Sequence, residues 1–307
     1  MTPAGNPFHA SLDVPVDGGA LHVAQAGPPP GEAQAVVLAV HGITASHVAW
    51  LAVARDLLAE APGTCILAPD LRGRGRSATV PHDDFATHAA DMRAVLDHAG
   101  IRTAVLAGHS MGAYVVARLA ADAPERAAAV LLIDGGLPLP MPPGADPDVL
   151  LDLALGPAIA RLKMSFASPE DYIAYWKQHP SLKDDWTDDM DAYARYDLTG
   201  SDGELRSVVS EPAVRADMRA LLLDEETRRA AERIRAPLTI LRAPRGLLND
   251  ENVLIPDAAL QAFRAAVPGV ESDLIPDVNH YTLVMAEPGA TRVAAAIRAA
   301  LPHASRA

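Results

Sequence analysis

Cysteine is almost absent: Cys65 is the single one in 307 residues. That excludes an internal disulfide and any metal centre built from several thiolates. Cys65 itself lies in the apolar run Cys65-Ile66-Leu67-Ala68, which predicts a buried, inert thiol. Positive charge is also in short supply, with 26 Lys and Arg against 39 Asp and Glu and a formal net charge of −13. No basic stripe exists to neutralise phosphates, so nucleic acid is not an expected partner. No run approaches the roughly 18 apolar residues of a membrane span, and no basic start leads into an apolar stretch. Neither a membrane nor a secretory leader is therefore expected, and the expected location is the cytoplasm. There is no internal repeat. Aromatic residues make up only 4% of the chain, so the place where they gather is informative.

What is abundant is apolar side chain, 50% of residues, arranged in short blocks. Residues 1–34 are rich in Pro and Gly, and Leu12, Val14 and Val16 alternate ahead of Asp17-Gly18-Gly19, with Leu21 and Val23 after it. This predicts an edge hairpin. Continuous apolar runs follow at 35–40, 65–68, 104–106 and 128–133, the mark of strands buried on both faces. Helical patterns separate them, one with Trp50, Val53, Leu57 and Leu58 on a face, another from Phe85 to about His98 that Asp83 or Asp84 could cap. Strands alternating with helices at this spacing predict an α/β fold with a doubly wound, mostly parallel sheet. Ligands of such sheets bind at the carboxyl ends of the strands.

The texture changes after Leu137. Prolines 138, 140, 142, 143 and 147 break the chain, and no buried strand reappears until Leu238. Residues 138–234 are helical in character, hold 19 acidic against 11 basic residues, and contain Phe166, Tyr172, Tyr175, Trp176, Trp186, Tyr193 and Tyr196, seven of thirteen aromatics. We read them as a helical insertion covering the strand ends, between core parts 1–137 and 235–307. The α/β rhythm then resumes with a strand at 238–242, a helix at 257–267, a strand at 270–275 and a closing helix from about 289 to 301.

Chemistry-bearing residues fall at the strand ends. Gly108-His109-Ser110-Met111-Gly112 stands between the apolar run Ala104-Val105-Leu106 and a helical stretch. Strand, sharp Gly-x-Ser-x-Gly turn and helix is the context of a nucleophile elbow, in which a strained backbone pushes the serine hydroxyl out above the sheet. His41-Gly42-Ile43-Thr44 follows the strand at 35–40, Asp70-Leu71-Arg72-Gly73-Arg74-Gly75-Arg76-Ser77 that at 65–68, Asp134-Gly135-Gly136 that at 128–133, and Asp277-Val278-Asn279-His280 the last one.

On these motifs, in this order and spacing, the chain resembles the α/β-hydrolase family across nearly its whole length. The resemblance implies an eight-stranded, mostly parallel sheet with a lid inserted after the sixth strand. It implies Ser110 as nucleophile and His280 as the base that takes its proton, since a serine hydroxyl is a poor nucleophile alone. The acid that orients the histidine comes, in the family, after the sixth or the seventh strand. Asp250, thirty residues before His280, ranks just ahead of Asp134, with Glu251 in reserve because Gly246-Leu247-Leu248-Asn249-Asp250 lacks the usual Gly-x-x-Asp spacing. Backbone N–H groups of Ile43 and Met111 form the expected oxyanion hole.

Other clusters have simpler readings. His41 is expected to steady its loop, His109 to pack locally, and Arg72, Arg74 and Arg76 to brace their loop by ion pairs. Asp184–Asp191 lacks the glycine and closing glutamate of a calcium loop. His82, Asp83, Asp84 and His88 are accounted for by capping and helix surface rather than a metal. Neither metal nor cofactor is expected.

The functional expectation is a serine hydrolase acting on an ester, lactone or similar acyl bond. Its partners are a small to medium hydrophobic substrate and water, with Trp176 and Tyr172 on the pocket wall. The acidic insertion argues against an anionic substrate. Carbon–carbon bond hydrolysis or cofactor-free perhydrolysis on the same triad, and a non-catalytic ligand receptor, are the alternatives. Serine at 110 disfavours chemistry that runs through an aspartate ester.

Overall fold

The computed structural model describes residues 5–82, 84–139, 144, 146–201 and 203–302. Strands β1 (Phe8–Val16) and β2 (Gly19–Ala26) form the antiparallel hairpin, turned at Gly18 with φ +82°, a conformation that glycine adopts without strain. Then come β3 (Ala35–Val40), helix α1 (Leu51–Glu60), β4 (Thr64–Pro69), α2 (Phe85–His98), β5 (Ala104–His109), α3 (Met111–Asp122) and β6 (Ala127–Ile133). Asp84 caps α2, its carboxylate accepting from the Thr87 N–H; the other candidate cap, Asp83, lies outside the described residues.

Between β6 and the next sheet strand lie α4 (Pro147–Leu162), α5 (Pro169–Trp176), α6 (Asp188–Tyr196), a two-stranded ribbon of β7 (Leu198–Ser201) and β8 (Glu204–Ser207), α7 (Glu211–Leu223) and α8 (Glu225–Arg228). The chain finishes with β9 (Leu238–Arg242), α9 (Asp257–Ala266), β10 (Glu271–Leu274), α10 (Thr282–Met285) and α11 (Gly289–Ala300). The ribbon and α10 carry too few residues for the sequence pattern to mark them.

The eight-stranded sheet runs β1-β2-β4-β3-β5-β6-β9-β10. It is parallel from β4 to β10, and β2 is antiparallel to both its neighbours. Alternate side chains of each inner strand enter different cores. Val36, Leu38 and Val40 pack with Met92 and Leu96 of α2 and Val116 of α3, whereas Val37 and Ala39 join Val53 and Leu57 of α1 and Val293 of α11. Burial on both faces is why β3 to β6 read as unbroken apolar runs. Both cores continue into the β6–β9 segment, one through Val214 and Leu221, the other through Tyr172 and Tyr193. No described helix is long and apolar enough to cross a membrane.

Candidate active site

Ser110 sits between β5 and α3 with φ 56° and ψ −121°, a region that costs a non-glycine residue energy unless the surroundings hold it there. They do. A side chain on Gly108 would strike the Gly112 carbonyl, and one on Gly112 the Val40 carbonyl. The Ser110 N–H donates to the Ile133 carbonyl at 2.9 Å, tying the turn to the end of β6. Ser110 thus stands at the N-terminus of α3, where the first N–H groups have no partner within the helix and favour negative charge.

His280 is 2% exposed, and its Nδ1 lies 2.8 Å from Oδ2 of Asp134, itself 1% exposed. An ionised carboxylate only accepts, so Nδ1 carries the proton and Nε2 is left as the basic nitrogen. Asp134 follows β6 with φ 47°. Its N–H donates to Leu241 of β9 at 2.7 Å, and its Oδ1 accepts from the Ala243 N–H at 3.2 Å. The histidine is fixed as firmly. Its N–H donates to the Arg245 carbonyl at 3.1 Å, and its carbonyl accepts from Nε2 of His109 at 2.9 Å. Burial, then His280, hold the pKa of His109 well below its usual value, so His109 is a neutral donor in a supporting place. Asn279 Nδ2 donates to the Ser181 carbonyl at 2.9 Å, linking the histidine loop to the β6–β9 segment.

This geometry corrects the ranking of the acid. Asp250 does not reach His280. Its loop turns back on itself through Gly246 N–H to the Asp250 carbonyl, and its carboxylate accepts from Asn252 Nδ2 at 2.8 Å and Asn252 N–H at 3.2 Å. Glu251 is exposed beside it. Asp134 prevails because β6 lies between β5, which carries the serine, and β9.

Gly42 brings the loop after β3 against the serine: a Cβ built on it would lie 3.1 Å from Ser110 Cβ and 3.5 Å from Ser110 Oγ. Neither the Ile43 N–H in this loop nor that of Met111, first residue of α3, has a protein acceptor among the described residues. The loop is clamped from behind. The Leu71 N–H donates to Nε2 of His41 at 3.0 Å, so Nδ1 carries the proton and donates to the Gly42 carbonyl at 2.8 Å. Burial draws the pKa of His41 down to about 4, keeping it neutral. Arg74 donates from Nε to the Ile43 carbonyl at 2.9 Å and pairs through Nη2 with Asp217 of α7 at 2.6 Å. Arg72 pairs with Asp91 at 2.6 Å. Arg76 instead lays its guanidinium over the Tyr196 ring, 5.8 Å from its centre, so the ion-pair expectation describes two of the three arginines.

Among the described residues two groups of side chains have the spacing to hold a metal ion, His22, His47 and Asp70, and His82, His88 and Asp217. In both the carboxylate is already matched. Asp70 accepts from the N–H groups of His47 and Arg76 and from Tyr196 Oη, and Arg74 neutralises Asp217. His88 is no helix-surface residue: it is buried and 3.1 Å from Asp217. Cys65 is buried, which pushes its thiol up to about 12.

Among the described residues Ser110 lines two compartments. One, of about 100 Å³, also touches His280, Arg161, Trp176, His179 and Tyr193. The other, of about 440 Å³, is walled by Met111, Tyr114, Leu150, Met218, Leu221 and Leu222. Trp176 thus lines the small compartment beside Ser110. Tyr172 does not line either compartment: fully buried, it turns its hydroxyl away to Arg161 and Asp197. The residue missed by sequence reasoning is Arg161, the only cation of α4. A lone arginine ending an apolar helix is its one trace in sequence, because arginine is seldom fully buried without a partner. Burial opposes its charge, but Tyr172 and Asp197 outweigh burial and raise its pKa.

Residues 35–284 match the family model for the alpha/beta hydrolase fold, and the chain belongs to that family. Over 119 residues it is 36% identical to lipase LipV of Mycobacterium tuberculosis, across 39% of this chain and 43% of that protein. Over 90 residues it is 41% identical to a non-heme haloperoxidase of Rhodococcus erythropolis, across 29% of this chain and 33% of the relative. Both matches span less than half of the relatives' length. The crystal structure of E-2-(acetamidomethylene)succinate hydrolase superposes with a TM-score of 0.73 at 21% identity, over 94% of this chain and 97% of that one, which is a likeness of fold.

Proposed function

We propose that this protein is a serine hydrolase that cleaves an ester, lactone or related acyl bond through an acyl-enzyme on Ser110. The observation that carries the reading is the buried 2.8 Å hydrogen bond from His280 Nδ1 to Asp134, which leaves Nε2 as a base in a cavity shared with Ser110. Ser110 Oγ attacks the acyl carbon while His280 Nε2 takes its proton. Asp134 holds the tautomer and stabilises the imidazolium without accepting the proton. The N–H groups of Ile43 and Met111 receive the oxyanion, each donor being worth about 3 kcal/mol in the transition state. His280 then protonates the leaving oxygen. Water, deprotonated by the same nitrogen, attacks the acyl-serine and frees acid and serine.

Residues 138–234 act as a cap that keeps bulk water from the serine. The apolar wall of the larger compartment suits a hydrophobic substrate half. Hydrolysis of p-nitrophenyl acetate and butyrate by the wild type beside Ser110→Ala tests the proposal. Turnover by the wild type and none above background by the variant is expected. Equal rates, or ligand binding with turnover by neither, would reject it.

A further inference from the structure

The β6–β9 segment carries a feature at odds with its acidic composition. Arg161 is 2% exposed and lines the small compartment beside Ser110 and His280. Its guanidinium stacks on Trp176, 4.8 Å from the ring centre. Nη1 is engaged, donating to Asp197 Oδ2 at 2.6 Å and to the Tyr172 hydroxyl. Nη2 has no hydrogen-bond partner among the described residues, and neither does the indole N–H of Trp176, a residue 4% exposed on the same cavity. Buried donors are nearly always satisfied, and each exception calls for an explanation. Two such exceptions on adjoining side chains beside a nucleophile point to an acceptor that arrives with the substrate.

Resting on the proposed serine hydrolysis, we infer that Arg161 and Trp176 form a subsite for a carboxylate of the substrate. Arginine donates in a planar fork that matches a carboxylate, and charge-assisted bonds are the stronger kind. Asp197 does not remove this capacity, because it is shared among Nη1, the Tyr172 hydroxyl and Ser207 Oγ. About 100 Å³ admits only a short group there. His280 lines this compartment and not the larger one. A general acid must lie within reach of the oxygen it protonates, so the carboxylate belongs to the leaving half, and the acyl half occupies the apolar compartment of about 440 Å³. The substrate class is an acyl ester of a small hydroxy acid, and the products are an apolar acid and that hydroxy acid.

The test compares three hexanoyl esters that differ at one end: O-hexanoyl glycolate, its glycolamide counterpart and propyl hexanoate. Wild-type kcat/KM should favour the glycolate, and the glycolate-to-propyl ratio should fall by about 10- to 100-fold in Arg161→Met, the span of a hydrogen bond to a charged group. Trp176→Phe, which keeps the ring and loses the N–H, should lower the same ratio several-fold and serves if Arg161→Met does not fold. Equal wild-type rates on all three esters, or a parallel fall on all three in the variants, would overturn the subsite and leave the hydrolase reading standing. If none is hydrolysed the hydrolase reading fails, and the subsite is then judged by thermal unfolding of Ser110→Ala. Stabilisation by O-hexanoyl glycolate and not by propyl hexanoate supports it, and no difference overturns it.

Discussion

The cavity has two walls built on different principles. The sheet-side wall is set by backbone: Ser110 and Asp134 both hold positive φ, Ser110 N–H is tied to β6 and Asp134 N–H to β9, and the loop after β3 is pinned by His41 and Arg74. The facing wall is set by side chains of separate helices, Arg161 from α4, Trp176 from α5 and Tyr193 from α6. On the proposed mechanism the first arrangement places the reacting atoms, and changes there should cost rate on every substrate. On the proposed subsite the second places recognition groups, and changes there should alter preference among substrates, as the Arg161 and Trp176 variants test.

The largest separation between the walls should come from Ser110→Ala, with kcat down by about 10⁶-fold on any ester while Arg161→Met retains turnover of neutral ones. Asp134→Asn should lose about 10⁴-fold through the wrong histidine tautomer. Asp250→Asn, measured in the same assay, should stay near the wild-type rate; reversal of these two results would return the acid to the loop after β9. Arg74 ties the sheet-side wall to α7, reaching both Ile43 and Asp217. Arg74→Met leaves the buried Asp217 carboxylate with only the His82 and His88 imidazoles beside it and should lower unfolding stability in urea by up to about 3–5 kcal/mol, and adding Asp217→Leu should recover part of that loss.

A smaller effect should appear with pH. His41 is neutral in the folded protein down to about pH 4, while in the unfolded chain it takes up a proton below the ordinary histidine value of 6.5. Its contribution is therefore fully present above pH 6.5 and is lost as pH falls toward 4, amounting to about 3 kcal/mol. His41→Gln should flatten that part of the stability profile. An unchanged slope would show that His41 is not the group responsible.

The sheet-side wall was legible because its signals are local. Apolar runs mark strands buried on both faces, and Gly108 and Gly112 flank a turn whose steric demand only glycine meets. The acid was not, since the choice depends on which strands lie side by side. Asp134 is 146 residues from its histidine, and nothing in the sequence states that β6 separates β5 from β9. The facing wall was less legible still. Tyr172 and Trp176 are one helical turn apart on α5, yet one turns to Asp197 and the other to the cavity, according to what the neighbouring helices offer. Arg161 was hidden by net charge: a surplus of acid over the whole segment describes solvated side chains and says little about a single buried guanidinium.

Covalent labelling tests the central claim most directly. Wild-type protein, Asp134→Asn and Asp250→Asn are each mixed with a fluorophosphonate, and intact mass and peptide mapping follow the adduct over time. The account predicts one adduct per chain, on Ser110, formed at similar rates in the wild type and Asp250→Asn and far more slowly in Asp134→Asn. An adduct on another residue, or labelling of Ser110 slowed by Asp250→Asn and not by Asp134→Asn, would contradict it.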